Sequence, residues 1–159
     1  MTPRELSNRR IHEVREALAS YAPALPTTDL DQLSRLCQAV LSSIDVRDLR
    51  DTTTVELIEQ LEYVFDTMRI RKTGEIKTAV RRLGTDSLVF ESCIDDQPFL
   101  VSAVRALISS ENFEVKTSLN AVTKLRRDVN GLLVDFKAGT RESIIRIEVR
   151  VRSEERRVG

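Results

Sequence analysis

The hydrophobic positions of the first 70 residues recur at helical spacing. A first helix is expected from Pro3 with Thr2 as its cap, a second from Thr28 or Asp29, and a third from near Thr54. Residues 22–26 contain two prolines and should end the first helix. The three apolar stripes are Leu6, Val14, Leu18 and Tyr21; Leu30, Leu33, Leu36, Cys37, Val40, Leu41 and Ile44; and Leu57, Ile58, Leu61, Val64, Phe65 and Met68. Such stripes require a partner surface that covers them.

From residue 71 the pattern changes to a period of two, which is typical of strands. Strands are predicted at residues 76–80, 87–94, 113–125, 132–136 and 145–151, and a helix at residues 99–110. Asn130 and Gly131 form the dipeptide most typical of a tight hairpin. In the last strand, apolar residues alternate with Arg146, Glu148 and Arg150, so one face should be buried and the other wet.

The order strand, helix, strand, strand, strand predicts an α+β fold. An antiparallel sheet with its helices on one face is the natural architecture for this order. We therefore divide the chain into an N-terminal helical segment at residues 1–70, an α+β domain at 71–152 and a charged tail at 153–159.

The composition is that of a globular chain, with 41% hydrophobic and 31% charged residues among 159. Because 25 basic residues balance 25 acidic ones, nucleic acid and anionic membranes are not expected partners. The N-terminus has no apolar signal core, and no run is long enough to span a bilayer, so a cytoplasmic location is expected. Cys37 and Cys93 lie in apolar stretches and should be buried free thiols.

Few residue patterns point to chemistry. The five glycines match no dinucleotide or P-loop fingerprint, and His12 has the setting of a surface residue. With a single histidine and no clustered cysteines, a metal site is not expected. Asp95 and Asp96 stand where a strand should meet a helix, either as helix caps or as part of a ligand site at the exposed helix N-terminus. The pair Arg126-Arg127 is interpreted as an exposed hairpin rim.

Three motifs resemble one protein family. Residues 95–104, DDQPFLVSAV, resemble the DDMPFLVDSV signature near the N-terminus of the large bacterial NAD-specific glutamate dehydrogenases. Residues 125–133, LRRDVNGLL, are similar to that family's R-R-D-x-x-G-x-L hairpin, and residues 142–148, ESIIRIE, to its E-S-x-x-H-I-E strand. Residues 71–75, RKTGE, stand where the family links its helices to its sheet. The departures include Gln97 for Met, Ser102-Ala103 for Asp-Ser, Asn120-Ala121 for His-Pro and Arg146 for His.

The resemblance implies an ACT-like, ferredoxin-like antiparallel sheet that is truncated at its C-terminus, before a second helix and last strand. It implies a non-catalytic regulatory or assembly domain of an NAD-dependent enzyme that deaminates glutamate. NAD and the catalytic residues would belong to the rest of that enzyme, and no cofactor to this segment. The expected partners are the remainder of the dehydrogenase chain, a second copy, and a free amino acid. The candidate ligand-binding residues are Asp95, Asp96, Gln97, Pro98 and Ser102. The alternative is a stand-alone protein–protein interaction module derived from the same fold.

Overall fold

The computed structural model describes residues 1–21 and 27–151, and its first half is helical, as predicted. The helices of this half are α1 Pro3–Tyr21, α2 Thr27–Leu41, α3 Val46–Asp51 and α4 Thr54–Met68. The predicted helix end at 22–26 lies outside the described residues. Helix α3 was not predicted, because its six residues are too short to show a helical period.

Side-chain caps explain where two of these helices begin. The Thr2 hydroxyl accepts a hydrogen bond from the Glu5 amide at 3.1 Å, and the Glu5 carboxylate accepts one from the Thr2 nitrogen at 2.7 Å. Thr53 and Glu56 form the same reciprocal pair at the start of α4. Each pair satisfies backbone donors that the helix itself leaves free. The predicted cap at Thr2 and the predicted start near Thr54 are therefore confirmed.

The second half forms one antiparallel sheet with strand order β1-β2-β4-β3. Its elements are β1 Lys77–Leu83, β2 Ser87–Asp95, α5 Leu100–Ser110, β3 Glu114–Arg127 and β4 Leu133–Arg150. The predicted α+β class, with N-terminal helices followed by an antiparallel sheet and a helix, is confirmed. The predicted Asn-Gly turn is also present, with Gly131 at φ +85° between β3 and β4.

Strand β4 corrects one expectation. Residues 132–136 and 145–151 were predicted as separate strands, but both belong to β4, a single strand of 18 residues whose pairing with β3 shifts in register between Leu125 and Arg126. Gly139, which was interpreted as a break between the two strands, lies inside β4 with a φ of +105°. A side chain at this position would collide with the carbonyl oxygen of Leu125 on the facing strand. Glycine therefore permits a close approach of two backbones rather than a turn.

Helices cover both faces of the sheet, so the prediction of helices on one face is wrong. One core cluster joins α1, α2, α3 and α4 to the face that carries Cys93, Leu119 and Ile144. A second cluster packs α5 on the opposite face, which carries Ile145, Ile147 and Val149. The members of the first cluster are Ile11, Val14, Leu18, Leu33, Leu36, Cys37, Val40, Leu41, Leu49, Leu57, Ile58, Leu61, Val64, Phe65, Met68, Cys93, Leu119, Ala121, Leu125, Leu133 and Ile144.

The wet face predicted for the last strand is wrong for Arg146 and Glu148, although Arg150 at the end of β4 is exposed. Arg146 is only 6% exposed and Glu148 is half-buried, because both lie on the face that the N-terminal helices cover. Alternation of apolar and charged residues marked the two faces correctly but did not show that protein covers the charged one. Polar side chains on this face thus need partners within the protein.

A long-range contact joins the helices to the sheet. Gln32 on α2 donates from Nε2 to the carbonyl oxygens of Leu133 and Val134, both at 3.1 Å. Gln32 is 7% exposed, and both of these hydrogen bonds from its amide nitrogen go to backbone carbonyls of the sheet. Within the described residues, 1–21 and 27–151, no helix is both long enough and apolar enough to cross a bilayer.

Candidate functional site

Four charged residues from separate motifs meet in one place. Arg71 follows α4, Asp95 ends β2, Arg127 ends β3, and Glu142 lies within β4. Together with Cys93 they form what we call the Glu142 cluster. The three motifs that resemble the dehydrogenase family and the linking segment at residues 71–75 each contribute one charged residue to it.

Glu142 lies at the centre of the cluster and is fully buried. Its Oε1 accepts from Arg71 Nε at 2.7 Å and from Arg127 Nη2 at 3.2 Å, and its Oε2 accepts from Arg127 Nε at 2.9 Å. The Cys93 thiol donates to Oε1 at 3.3 Å. The carboxylate is therefore saturated with donors, as a buried charge requires.

The two arginines use their remaining donors on the backbone and on a second carboxylate. Arg127 donates to the carbonyl oxygens of Met68 at 2.7 Å and Gly131 at 2.8 Å, which ties the end of α4 to the β3–β4 hairpin. Arg71 donates to the Glu75 carbonyl at 2.8 Å and to Asp95 Oδ1 at 2.7 Å. The cluster thereby joins the last helix of the N-terminal segment to three strands of the sheet.

The protonation states fit a structural role. Burial raises the pKa of Glu142, but the hydrogen bonds and charges of Arg127 and Arg71 outweigh it and hold the pKa below its usual value. Burial, together with the Glu142 charge, raises the pKa of the Cys93 thiol to about 12. The lowered pKa makes Glu142 a weak base, and the raised pKa keeps the Cys93 thiol protonated; both properties suit a structural ion cluster.

The predicted ligand-binding corner is the junction of β2 and α5 that contains Asp95, Asp96, Gln97, Pro98 and Ser102. Only Asp95 belongs to the Glu142 cluster. Asp95 pairs with Arg71, and Asp96 lies 3.6 Å from Arg141. Gln97, Pro98 and Ser102 are exposed. These last three residues take no part in the Glu142 cluster, and a ligand site at the corner stays a prediction.

The predicted capping of α5 by the aspartates is wrong. The helix begins at Leu100, and its N-cap is Phe99, which has φ +62° and makes no side-chain cap. Phe99 is 85% exposed, although such a large apolar side chain is usually covered. Asp95 instead belongs to β2, where its carboxylate faces Arg71.

The sequence predicted the exposure of His12 correctly and that of Arg127 wrongly. The pair Arg126-Arg127 was interpreted as an exposed rim; Arg126 is indeed exposed and pairs with Asp135, but the Arg127 side chain is only 10% exposed. The period-two pattern of β3 indicates that the Arg127 side chain is buried, because Arg127 falls on the same face of the strand as the buried Leu125. The His12 side chain is 75% exposed, as expected.

Cys37 and Cys93 are both buried and free, as predicted. Among the residues that the structure describes, no group of three His, Cys, Asp or Glu side chains could hold a metal ion.

The fold and the cluster define an α+β domain with an ACT-like sheet whose charged core serves its architecture. Residues 36–158 match the family model described as glutamate dehydrogenase, ACT1 domain. The chain therefore belongs to the glutamate dehydrogenase ACT1 domain family. No curated protein and no solved structure gives a significant match.

Proposed function

We propose that this chain is a non-catalytic regulatory or assembly domain of an NAD-dependent glutamate dehydrogenase, whose complete enzyme oxidatively deaminates glutamate to 2-oxoglutarate. The observation that carries the proposal is the ACT1 match over residues 36–158, a range that contains the whole Glu142 cluster. The charged groups of that cluster hold α4 against the sheet and so are engaged in architecture. In this proposal NAD binds to the catalytic part of the enzyme, and the enzyme works in the cytoplasm.

The test starts from the native polypeptide. An antibody raised against this chain is used to precipitate its antigen from source cells, and the precipitate is assayed with glutamate and either NAD or NADP. The proposal expects a band many times the 18.1 kDa of this chain and glutamate-dependent reduction of NAD in preference to NADP. A band near 18.1 kDa without such activity contradicts it.

The regulatory part of the proposal includes a free amino acid as a ligand of the exposed corner. Asp96, Gln97, Pro98 and Ser102 are all exposed there, which leaves the corner accessible to a solute. The purified chain is titrated with each of the twenty amino acids while its thermal unfolding is followed. A rise in Tm that is lost in Ser102→Ala, but retained in a matched Ser109→Ala control on the same helix, supports the corner. An unchanged Tm at millimolar concentrations argues against it.

The alternative function, a stand-alone protein–protein interaction module, is favoured by one feature of the sheet. Strand β1 lies at the edge of the sheet; Val80 and Leu83 within it are 61% and 47% exposed, and Ile76 just before it is 69% exposed. An edge strand presents free backbone donors and acceptors to a second chain, and the exposed apolar side chains of β1 add surface that such a chain could cover. Under this alternative, sedimentation shows self-association that Val80→Lys abolishes, whereas Val122→Lys on the opposite edge does not. A monomer at all concentrations removes the support for it.

A further inference from the structure

A pocket lies where α1 meets the turn between α3 and α4, and it shares no residue with the Glu142 cluster. Its volume is about 320 Å³. Three arginines and three consecutive threonines line it: Arg9, Arg10, Arg50, Thr52, Thr53 and Thr54. Arginine is over-represented where proteins bind phosphate, because its planar fork of donors matches two phosphate oxygens. The pocket therefore combines hydroxyl groups that can carry a phosphoryl group with cations that can hold one.

The three threonine hydroxyls differ in what they bind. The Thr52 hydroxyl donates to a backbone carbonyl of α3 at 2.6 Å, and the Thr53 hydroxyl accepts from a backbone amide of α4 at 3.2 Å. The half-buried Thr54 accepts instead from Arg10 Nη1 at 3.0 Å. A substituent on Thr52 or Thr53 would displace a hydrogen bond that fixes a helix end, whereas one on Thr54 would meet a guanidinium. Thr54 is thus the threonine suited to modification.

Arg10 is fixed in place beside the Thr54 hydroxyl. Its Nε donates to the carbonyl of Leu49 at 3.2 Å and its Nη2 to the carbonyl of Thr52 at 2.6 Å, and its side chain is only 12% exposed. Besides Thr54, Nη1 binds the carboxylate of Glu13, which is 41% exposed. A phosphoryl group on Thr54 can replace that carboxylate at little cost, because Glu13 then returns to water.

Arg9 and Arg50 flank the pocket, and both side chains are more than half exposed. Arg9 lies 3.7 Å from Glu13, and Arg50 lies 3.1 Å from its neighbour Asp51. Exposed pairs of this kind contribute little, so both arginines are free to turn towards a stronger anion. Three cations face two carboxylates in the lining, which leaves the pocket with a net positive charge.

We propose that Thr54 is a phosphorylation site and that Arg9, Arg10 and Arg50 hold its phosphoryl group. A protein kinase supplies the group from a nucleoside triphosphate: the Thr54 oxygen bonds to the terminal phosphorus, and the bond from that phosphorus to the bridging oxygen breaks. The nucleoside diphosphate leaves, and the hydroxyl proton passes to a base of the kinase. The product carries a charge of about −1.5 to −2 at pH 7 and three acceptor oxygens, which join α1, α3 and α4. This inference does not rest on the proposed function.

The first test compares chains in which phosphothreonine is incorporated during synthesis at one position. Phosphorylation of Thr54 should raise Tm by roughly 3–8 °C, because the group gains charge-assisted hydrogen bonds beside a buried guanidinium. Phosphorylation of Thr85, in the exposed turn between β1 and β2 and next to Asp86, is the matched control and should leave Tm unchanged or lower it. The absence of a rise for Thr54, or equal effects at the two positions, would overturn the proposal.

Arginine variants show whether the pocket holds the phosphoryl group. In the chain phosphorylated at Thr54, Arg9→Met combined with Arg50→Met should remove most of the rise in Tm. The matched Arg47→Met, which removes a side chain of α3 that is exposed and does not line the pocket, should retain it. An undiminished rise in the double variant would show that the phosphoryl group points into solvent, and would overturn the assignment of these arginines.

A free anion is the other source of the same chemistry. Inorganic phosphate at millimolar concentration should leave the Tm of the unmodified chain unchanged, because a free ion loses translational freedom that a group attached to Thr54 does not. A rise in Tm that the double arginine variant removes would instead indicate a site for free phosphate and overturn the assignment to Thr54. Mass spectrometry of the protein from source cells should locate phosphate on Thr54, and its absence there in both growing and starved cells would also overturn the proposal.

Discussion

The Glu142 cluster makes a quantitative prediction for Glu142→Gln. Glutamine keeps the size of the side chain but removes the charge that accepts three guanidinium hydrogen bonds at 2.7–3.2 Å. It leaves Arg71 and Arg127 facing each other, with side chains only 3% and 10% exposed. Removal of one partner from a buried ion pair typically costs about 3–5 kcal/mol. Because Asp95 still neutralises Arg71, we expect the lower end, about 3 kcal/mol, or a fall in Tm of roughly 6–12 °C.

Urea unfolding followed by circular dichroism measures this loss. The matched control is Glu114→Gln, which makes the same chemical change in an exposed pair with Arg150 at 3.8 Å. Exposed pairs contribute little, so the control should change the free energy of unfolding by less than about 1 kcal/mol. Equal effects of the two variants would refute the reasoning that the buried carboxylate holds the helices on the sheet.

Three further predictions concern pH, thiols and glycines. The pKa of Glu142 in the folded state lies below its unfolded value near 4.5, so the free energy that this carboxylate contributes to folding is fully present above that pH and is lost as the pH falls further. Glu142→Gln should therefore flatten the acid side of a plot of unfolding free energy against pH. Cys37 and Cys93, whose pKa burial raises to about 12, should react with iodoacetamide only when the chain unfolds, and rapid labelling of the native chain would contradict this. Gly84→Ala should lower the free energy of unfolding by about 1–2 kcal/mol, because of the positive φ alone. Gly139→Ala should lower it clearly more in the same thermal melts, because the added Cβ meets the backbone oxygen of Leu125. Equal losses would show that the contact between β3 and β4 is not tight.

The sequence predicted those parts of the fold that a single local pattern controls. The stripe Leu57 to Met68 marked α4, because an amphipathic helix of four turns shows its period clearly. The Asn130-Gly131 dipeptide marked the hairpin through its conformational preference. Gly139 was wrongly interpreted as the end of a strand, because a glycine that ends a strand and one that lets two strands approach each other cannot be distinguished in a sequence.

The site was harder to predict, because its residues come from distant segments. Arg71 and Glu142 are separated by 71 positions, and no local pattern shows that they form a salt bridge. Arg146 could be placed on a face of its strand but not under a helix, since alternation does not tell which side solvent reaches. The resemblance to a family grouped the right segments without showing that their charges meet.

The contact of Gln32 with Leu133 and Val134 has a consequence for synthesis of the chain. Its partners are separated by 101 and 102 positions, so α2 emerges from the ribosome long before the strand that receives it. Until β4 has been made, the apolar stripes of α2 and α4 have no sheet to cover them, and this surface is exposed to other nascent chains. The fold is completed late, and a chaperone that shields the early helices is expected to raise the yield of native protein.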